Sequence, residues 1–314
     1  MTHLKFFVFK ENSNLSQDIH LFCLKYFIMY KFIFPIIFLS CFQLEAQETN
    51  SLNQDGKFWI SWGYNRAWYS QSDIHIKGND FDVIFYDVKA IDRPETFSLK
   101  SYFSITRISI PQNNYRIGYH VNQHWGFSLG LDHMKYVVSN DQDVNMSGVV
   151  LPASNRSNNY VGSYINTPVS LNNKLLRFEH TDGLNLLSAD AEYTCRIAEL
   201  FKNRLGIYWQ TVLGLGIVIP KTEAHIFADN EFPEGYGVDN KYHIAGYSAS
   251  FRLGPEIRFL KNFFVRPQLR SGWINLPDIY INNEAPERAD QQLVYNQFQV
   301  TAGGYFNIRL RKKK

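Results

Sequence analysis

Every second residue from Tyr247 is apolar (Tyr247, Ala249, Phe251, Leu253, Pro255, Ile257, Phe259), while Gly246, Ser248, Ser250, Arg252, Gly254, Glu256 and Arg258 stand between them. After Leu260-Lys261-Asn262 the alternation resumes. Phe263, Val265, Pro267, Leu269 and Trp273 then oppose Arg266, Gln268, Arg270 and Gly272. A period of two over this length predicts two long antiparallel strands joined by a tight turn, with one greasy and one charged face.

The same alternation marks eight segments: 57–69, 113–122, 124–138, 184–198, 204–219, 244–259, 263–275 and 295–310. Short turns (Val121 to His124, Glu199 to Asn203, Leu260 to Asn262) alternate with four long polar gaps. That plan predicts an all-β, antiparallel transmembrane β-barrel of eight strands, with short periplasmic turns and four long extracellular loops. Each segment is long enough for the roughly 9–11 residues a tilted strand needs to cross hydrocarbon. Ten strands result if Ile74 to Val88 enters the wall. Only a closed sheet satisfies strand backbones in lipid, so the apolar faces are expected outward.

The opposite faces collect Arg116, Arg196, Arg252, Arg258, Arg266, Arg270 and Arg309 with Asp132, Asp190, Glu192 and Glu256. An eight-strand barrel has an interior that side chains just fill, so these groups are expected to pair and plug it. Pro255 and Pro267 each remove a ladder donor, and a bulge at the periplasmic rim is the expected accommodation. The rival architecture is a soluble β-sandwich or lipocalin-like barrel. Its wet face would carry Lys and Glu, whereas this polar face is rich in Arg, Gly, Ser and Gln.

Near the start, Lys31 precedes an apolar run from Phe32 to Phe42 and a small residue at Ala46. This is the layout of a secretory signal and is too short for a spanning helix. The expected organisation is an upstream extension over 1–28, a signal peptide over 29–46, a periplasmic segment over 47–56, the barrel over 57–310 and a basic tail over 311–314. Cleavage after Ala46 would remove Cys23 and Cys41 and leave Cys195 without an intrachain partner. A net charge of +3 gives no support to a nucleic-acid partner.

Segments, turns and signal together resemble the small outer-membrane barrels of the OmpA and OmpX type. Ile110 to Tyr119, Gly130 to Val137 and Glu179 to Asn185 more closely resemble uncharacterised outer-membrane β-barrel proteins of Bacteroidota. The resemblance implies a fold and a location in the cell outer membrane, and no chemistry. Such barrels commonly finish on an aromatic residue read during assembly. This chain ends in Arg311-Lys312-Lys313-Lys314, which leaves Phe306 to take that role from further in.

For chemistry, Asp132-His133-Met134-Lys135 and Glu179-His180-Thr181-Asp182 bracket the second long gap. Imidazole beside carboxylate is how a general base or a metal ligand is oriented. Strand neighbours point to opposite faces, so rim hydrogen bonding is the simpler expectation. His133 and Lys135 fall on the lipid side, where they would meet outer-membrane lipid and lipopolysaccharide phosphates. A lipid-modifying site needs Ser, His and an acid on one face, and Ser188 with His180 or Ser248 with His243 are the available pairs. Neither fits the His-x-Ser-Asn signature of lipid A deacylase barrels. Asp141 to Asn145 opens like a calcium loop but places Met146 at the glycine position and Pro152 at the glutamate position. Leu213-Gly214-Leu215-Gly216 lies in a strand with no helix after it, so it is no dinucleotide loop. No metal or cofactor is expected. Loop aromatics such as Trp68, Tyr69, Phe81, Phe85, Tyr86, Tyr160, Tyr164, Tyr236 and Tyr280 suit either recognition of an extracellular protein or glycan, or packing on one another. The expected role is a non-enzymatic surface anchor or binding protein, with a rim-sited lipid-modifying enzyme or a narrow channel as alternatives.

Overall fold

The computed structural model describes residues 54–94, 112–153, 156–201, 204–230, 241–281 and 287–307, with only the backbone at Thr181 and Asp182. The first half of this chain holds β1 (Phe58–Tyr69), β2 (Ser72–Lys77), β3 (Phe81–Val88), β4 (Ala90–Ile91), β5 (Asn113–His120), β6 (Trp125–Val138) and β7 (Gln142–Val150). The second half holds β8 (Gly162–Leu171), β9 (Leu176–Leu200), β10 (Leu205–Pro220), β11 (Glu223–Ile226), β12 (Gly246–Phe259), β13 (Phe263–Tyr280) and β14 (Arg288–Phe306).

Eight of these strands, β1-β5-β6-β9-β10-β12-β13-β14, form an antiparallel ring that closes by pairing β14 with β1. They are the eight alternating segments, several of them longer than the alternation alone marked. Following paired residues from Phe306 through Phe58, Tyr119, Phe127, Ala191, Leu213, Phe251 and Ser271 returns to β14 at Asn296, ten residues along. With a rise of about 3.3 Å per residue and about 4.8 Å between strands, a ten-residue stagger over eight strands means a tilt of about 41°, inside the usual range for closed barrels.

Short turns gather at one end of the ring and the long connections at the other. The turn after β12 has positive φ at Leu260 and Lys261. Pro255 and Pro267 do not cause a bulge. The β12–β13 register is the same on both sides of them (Leu253 with Leu269, Ile257 with Val265), so the prolines face one another. Two residues without an N–H thus share one gap in the ladder, and each keeps its place in the pairing with its other neighbour, Trp209 or Val300.

The faces of the ring strands switch character part of the way along. On β14 the outward residues are Phe306, Gly304, Ala302, Val300, Phe298, Asn296 and Val294, then Gln292, Asp290 and Arg288. The inward residues run oppositely, with Tyr305, Thr301, Gln299 and Gln297 followed by Tyr295, Leu293, Gln291 and Ala289, of which only Gln291 is an amide. On β9 the inward side passes from Glu192, Asp190 and Ser188 to Leu186 and Leu184. The turn-side part is therefore polar inside and apolar outside, with Leu213 63% and Leu215 70% exposed. Aromatic pairs edge this belt. Phe58–Tyr119 (4.7 Å), Trp125–Tyr193 (5.1 Å) and Phe259–Phe263 (6.2 Å) ring its turn side, and Tyr247–Trp273 (5.6 Å) stands at its loop side.

The loop-side part folds like a water-soluble protein. Beyond the belt β14 pairs with β2, and the sheet continues through β3, β7 and β8. Ile74, Phe85, Met146, Phe178, Phe227 and Ile279 meet in one buried apolar core with Met134, Leu186 and Ile274 of the ring strands. Burying this many large side chains, each worth about 1.5–3 kcal/mol, holds the extension over the mouth. Ser72 to Val88 is thus a hairpin outside the ring, and the wall keeps eight strands. The fourth gap is shorter than its composition suggests, because β13 and β14 run on to Tyr280 and Arg288 with polar residues outward. Phe81 and Phe85 lie in the core, while Tyr69, Tyr160 and Tyr164 pack against it and Trp68 is exposed. Tyr236 and the proposed leader and tail lie outside the described residues.

Candidate functional site: the lumen ion chain and the loop-side rim

The belt's inward positions converge because period two sends every second side chain to the axis. There, nine charged groups form one alternating chain, Arg270–Asp132–Arg116–Asp190–Arg252–Glu192–Arg266–Glu256–Arg258. Arg116 lies 2.8 Å from Asp132 and 3.3 Å from Asp190. Arg252 lies 3.3 Å from both Asp190 and Glu192, and Arg266 is 3.9 Å from Glu192. Arg270 binds Asp132, and both Arg258 and Arg266 bind Glu256.

Neutral groups complete the packing. Ser128 donates to Glu192 at 2.7 Å and Tyr305 to Glu256 at 2.8 Å. The Arg258 guanidinium lies 3.6 Å over the Tyr208 ring, and that of Arg266 lies 4.1 Å over Trp59. Gly130 leaves room for this packing, since a Cβ there would sit 2.6 Å from the Arg116 guanidinium. Each of the four carboxylates stands between two guanidinium groups, so none is placed as a spare general base. The chain's chemistry is to fill the lumen and cross-tie its strands.

Arg196 lies apart from this chain. A bulge between Ile207 and Tyr208 shifts the β9 register beside it, and its side chain is 35% exposed at the turn end, 3.8 Å from Glu199. Arg309 lies outside the described residues.

The rim residues do not form one site. His133 has the outward parity of β6 but is buried, and it bonds Asn185 through Nδ1 at 2.8 Å. Lys135 is outward and half-buried, and its carbonyl accepts from the Tyr69 hydroxyl at 2.6 Å. His180 faces the loop-side core, fully buried between Phe178 and Tyr136, and shares a 2.9 Å hydrogen bond with Thr222. Burial pushes its imidazole down to about 3, which keeps the ring neutral. The Asp182 side chain is not described. Ser188 is on the lumen side eight residues along β9 from His180. His243 stacks on Tyr280 at 3.9 Å and holds Asp278 at 3.0 Å, on the face opposite Ser248. Neither serine–histidine pair is therefore assembled. Among the described residues no group of His, Cys, Asp and Glu is placed to hold a metal ion.

Sequence reasoning missed Trp59 and His120 in the lumen, and the second core. Alternation of Ile74 with Ile76 and of Phe81, Val83 and Phe85 was the signal available for that core.

No known protein family matches the chain by sequence, nor does any curated protein. Among solved structures it is similar to the outer membrane protein OprG from Pseudomonas aeruginosa, with 10% identity over 83% of this chain and 100% of that one, TM-score 0.36. The outer membrane protein AlkL, studied in DMPC lipid bilayers, gives 8% identity, 85% and 97% coverage and a TM-score of 0.36. Neisserial surface protein A gives 9% identity, 79% and 97% coverage and a TM-score of 0.32. At such scores nothing about ligand or activity passes from those proteins to this chain.

Proposed function

We propose that this chain is an outer-membrane β-barrel acting as a surface anchor or binding protein, without enzymatic activity, whose loop-side cap is the part that meets other molecules. The observation that carries this reading is the change of face along the strands. From Phe306 to Val294 the outward side of β14 is apolar apart from Asn296 over twelve residues, about 30 Å of height at the 41° tilt, and an outer-membrane barrel carries a band of about 25 Å. Above Val294 the same face is Gln292, Asp290 and Arg288, a surface suited to water. In this reading the turns face the periplasm and the cap stands outside the cell. Lys135, half-buried at the loop-side edge of the belt beside the buried His133, would meet lipopolysaccharide phosphates.

An anchor of this kind needs no passage, and the filled lumen favours it over the channel reading. Epitopes at two positions test the topology. A tag within residues 95–111 should bind antibody on intact cells, and a tag replacing Lys261 should bind only after the outer membrane is opened. The reverse pattern, or recovery of the chain in the soluble fraction without detergent, overturns the proposal.

A further inference from the structure

One side chain at the far end of the cap meets all four loop-side connections. Arg156 stands in the connection between β7 and β8, and its side chain is 6% exposed. Its Nε donates to Asp80 at 2.7 Å, its Nη1 to the Ile226 carbonyl at 3.3 Å and its Nη2 to the Glu287 carboxylate. The guanidinium carbon lies 4.5 Å from the centre of the Phe81 ring. Asp80 belongs to the turn between β2 and β3, Ile226 ends β11 and Glu287 precedes β14. The first, third and fourth connections are thereby tied to the second.

Residues 156–161 cross the cap as a short strap with two faces. Ser157 is buried, and the Tyr160 ring lies 5.9 Å from Phe227, which in turn meets Phe81 at 5.6 Å. Asn158, Asn159 and Val161 are exposed. Both ends of the strap's connection leave from one place, since Val150 pairs with Gly162. The strap's own backbone bonds are mostly local, from Tyr160 to Ser157 at 3.4 Å and from Val161 to Asn158 at 3.2 Å. Among the described residues a single backbone bond, from Ser157 to the Phe227 carbonyl at 2.8 Å, joins it to another element. Segments with so few ladder bonds open below the free energy of global unfolding. Arg156 is therefore the main polar tie between the strap and the rest of the cap, and removing its charge leaves two largely buried carboxylates unmatched.

We propose that residues 156–161 are a lid over the loop-side core, latched by Arg156, whose release bares Phe81 and Phe227 while the barrel below stays closed. Latched, the four connections move as one surface. Released, the lid swings on the β7–β8 hairpin, where Val150 and Gly162 stay paired.

The test is hydrogen exchange read by mass spectrometry on the full chain in detergent micelles, with hydroxyl-radical labelling beside it. In Arg156→Gln the amides of 157–161 should exchange about tenfold faster and labelling of Phe81 and Phe227 should rise, while the amides of Ser188 to Glu192 in the belt stay unchanged. Arg156→Lys keeps one charged contact and should give a smaller rise. Asp80→Asn with Glu287→Gln removes the paired carboxylates and leaves Arg156 in place, so it should free the lid too, and it answers the question if Arg156→Gln does not fold. Unchanged exchange at 157–161, or rings that stay unlabelled, would overturn the latch, and an equal rise in the belt would overturn the separate lid.

Discussion

Replacing Leu213 by arginine tests the membrane assignment at the point where its consequence is largest. Each step to the next paired strand climbs one and a quarter residues, since eight steps climb ten. At about 2.5 Å of axial rise per residue, Leu213, five steps from Phe306, lies about 16 Å above it. That is the middle of a belt about 30 Å tall. An arginine at the bilayer midplane of a barrel's lipid face costs about 2–4 kcal/mol, and near the interface about 0–1 kcal/mol. Phe298→Arg, eight residues above Phe306, should therefore cost nearly as much as Leu213→Arg, and Gln292→Arg, fourteen above, almost nothing. Reversible urea unfolding in liposomes gives the three differences directly. In a soluble protein the same positions behave otherwise. Leu213 is 63% exposed, and a surface substitution in water changes stability by about 0.5 kcal/mol or less. Three equal, small values would refute the belt and the inference built on it.

Other perturbations address the lumen and the rim. Glu256→Leu takes the carboxylate from both Arg258 and Arg266 and should cost about 3–5 kcal/mol in the same unfolding assay, whereas Glu256→Gln, which keeps an acceptor, should cost less. His180 should make the cap acid-sensitive. Its folded value of about 3 lies below the unfolded value of about 6.5, so the unfolded state takes up the proton first and stability falls as pH drops below 6.5. The loss reaches about 2 kcal/mol at pH 5, and hydrogen exchange of the cap should lose that acid limb in His180→Leu. Alanine at both His133 and Lys135 should reduce the lipopolysaccharide that co-purifies with the barrel, and Lys135→Ala alone should leave stability within about 0.5 kcal/mol; unchanged lipopolysaccharide content removes their phosphate role.

The wall was legible because period two is strict where one face meets hydrocarbon and the other a charged lumen. Arg252, Glu256 and Arg258 share a parity with no apolar residue among them, and Leu253, Pro255 and Ile257 share the other. Pairing within the lumen was not legible. Which acid meets which guanidinium depends on the ten-residue stagger, and no single strand carries that number. Past the belt the local signal fails for a different reason. Leu184 and Leu186 continue the parity of Asp190 and Glu192, so the apolar residues change phase within one unbroken strand, and a reading that requires constant phase stops there. The prolines misled because each, taken alone, asks for a bulge. Facing one another, they need none.

The phase change also separates two kinds of stability. Turn-side, the outward leucines gain nothing from folding in water, and the ring holds its shape through ion pairs and a closed ladder that lipid cannot compete for. Loop-side, Ile74, Phe85, Phe178 and Ile279 leave water on folding, and the driving force is the ordinary hydrophobic one. β9 and β14 pass through both regions without a break, so the cap is fastened to the barrel by continuous backbone. The hairpin of β2 and β3 has no such anchor. It pairs with the ring along Ile74 to Lys77, opposite Arg288 to Gln291, and His75 there lies 2.7 Å from Asp82 and 2.8 Å from Asp290. A cap built this way leaves its outward surface free to vary away from the His75 cluster, because its apolar residues point inward.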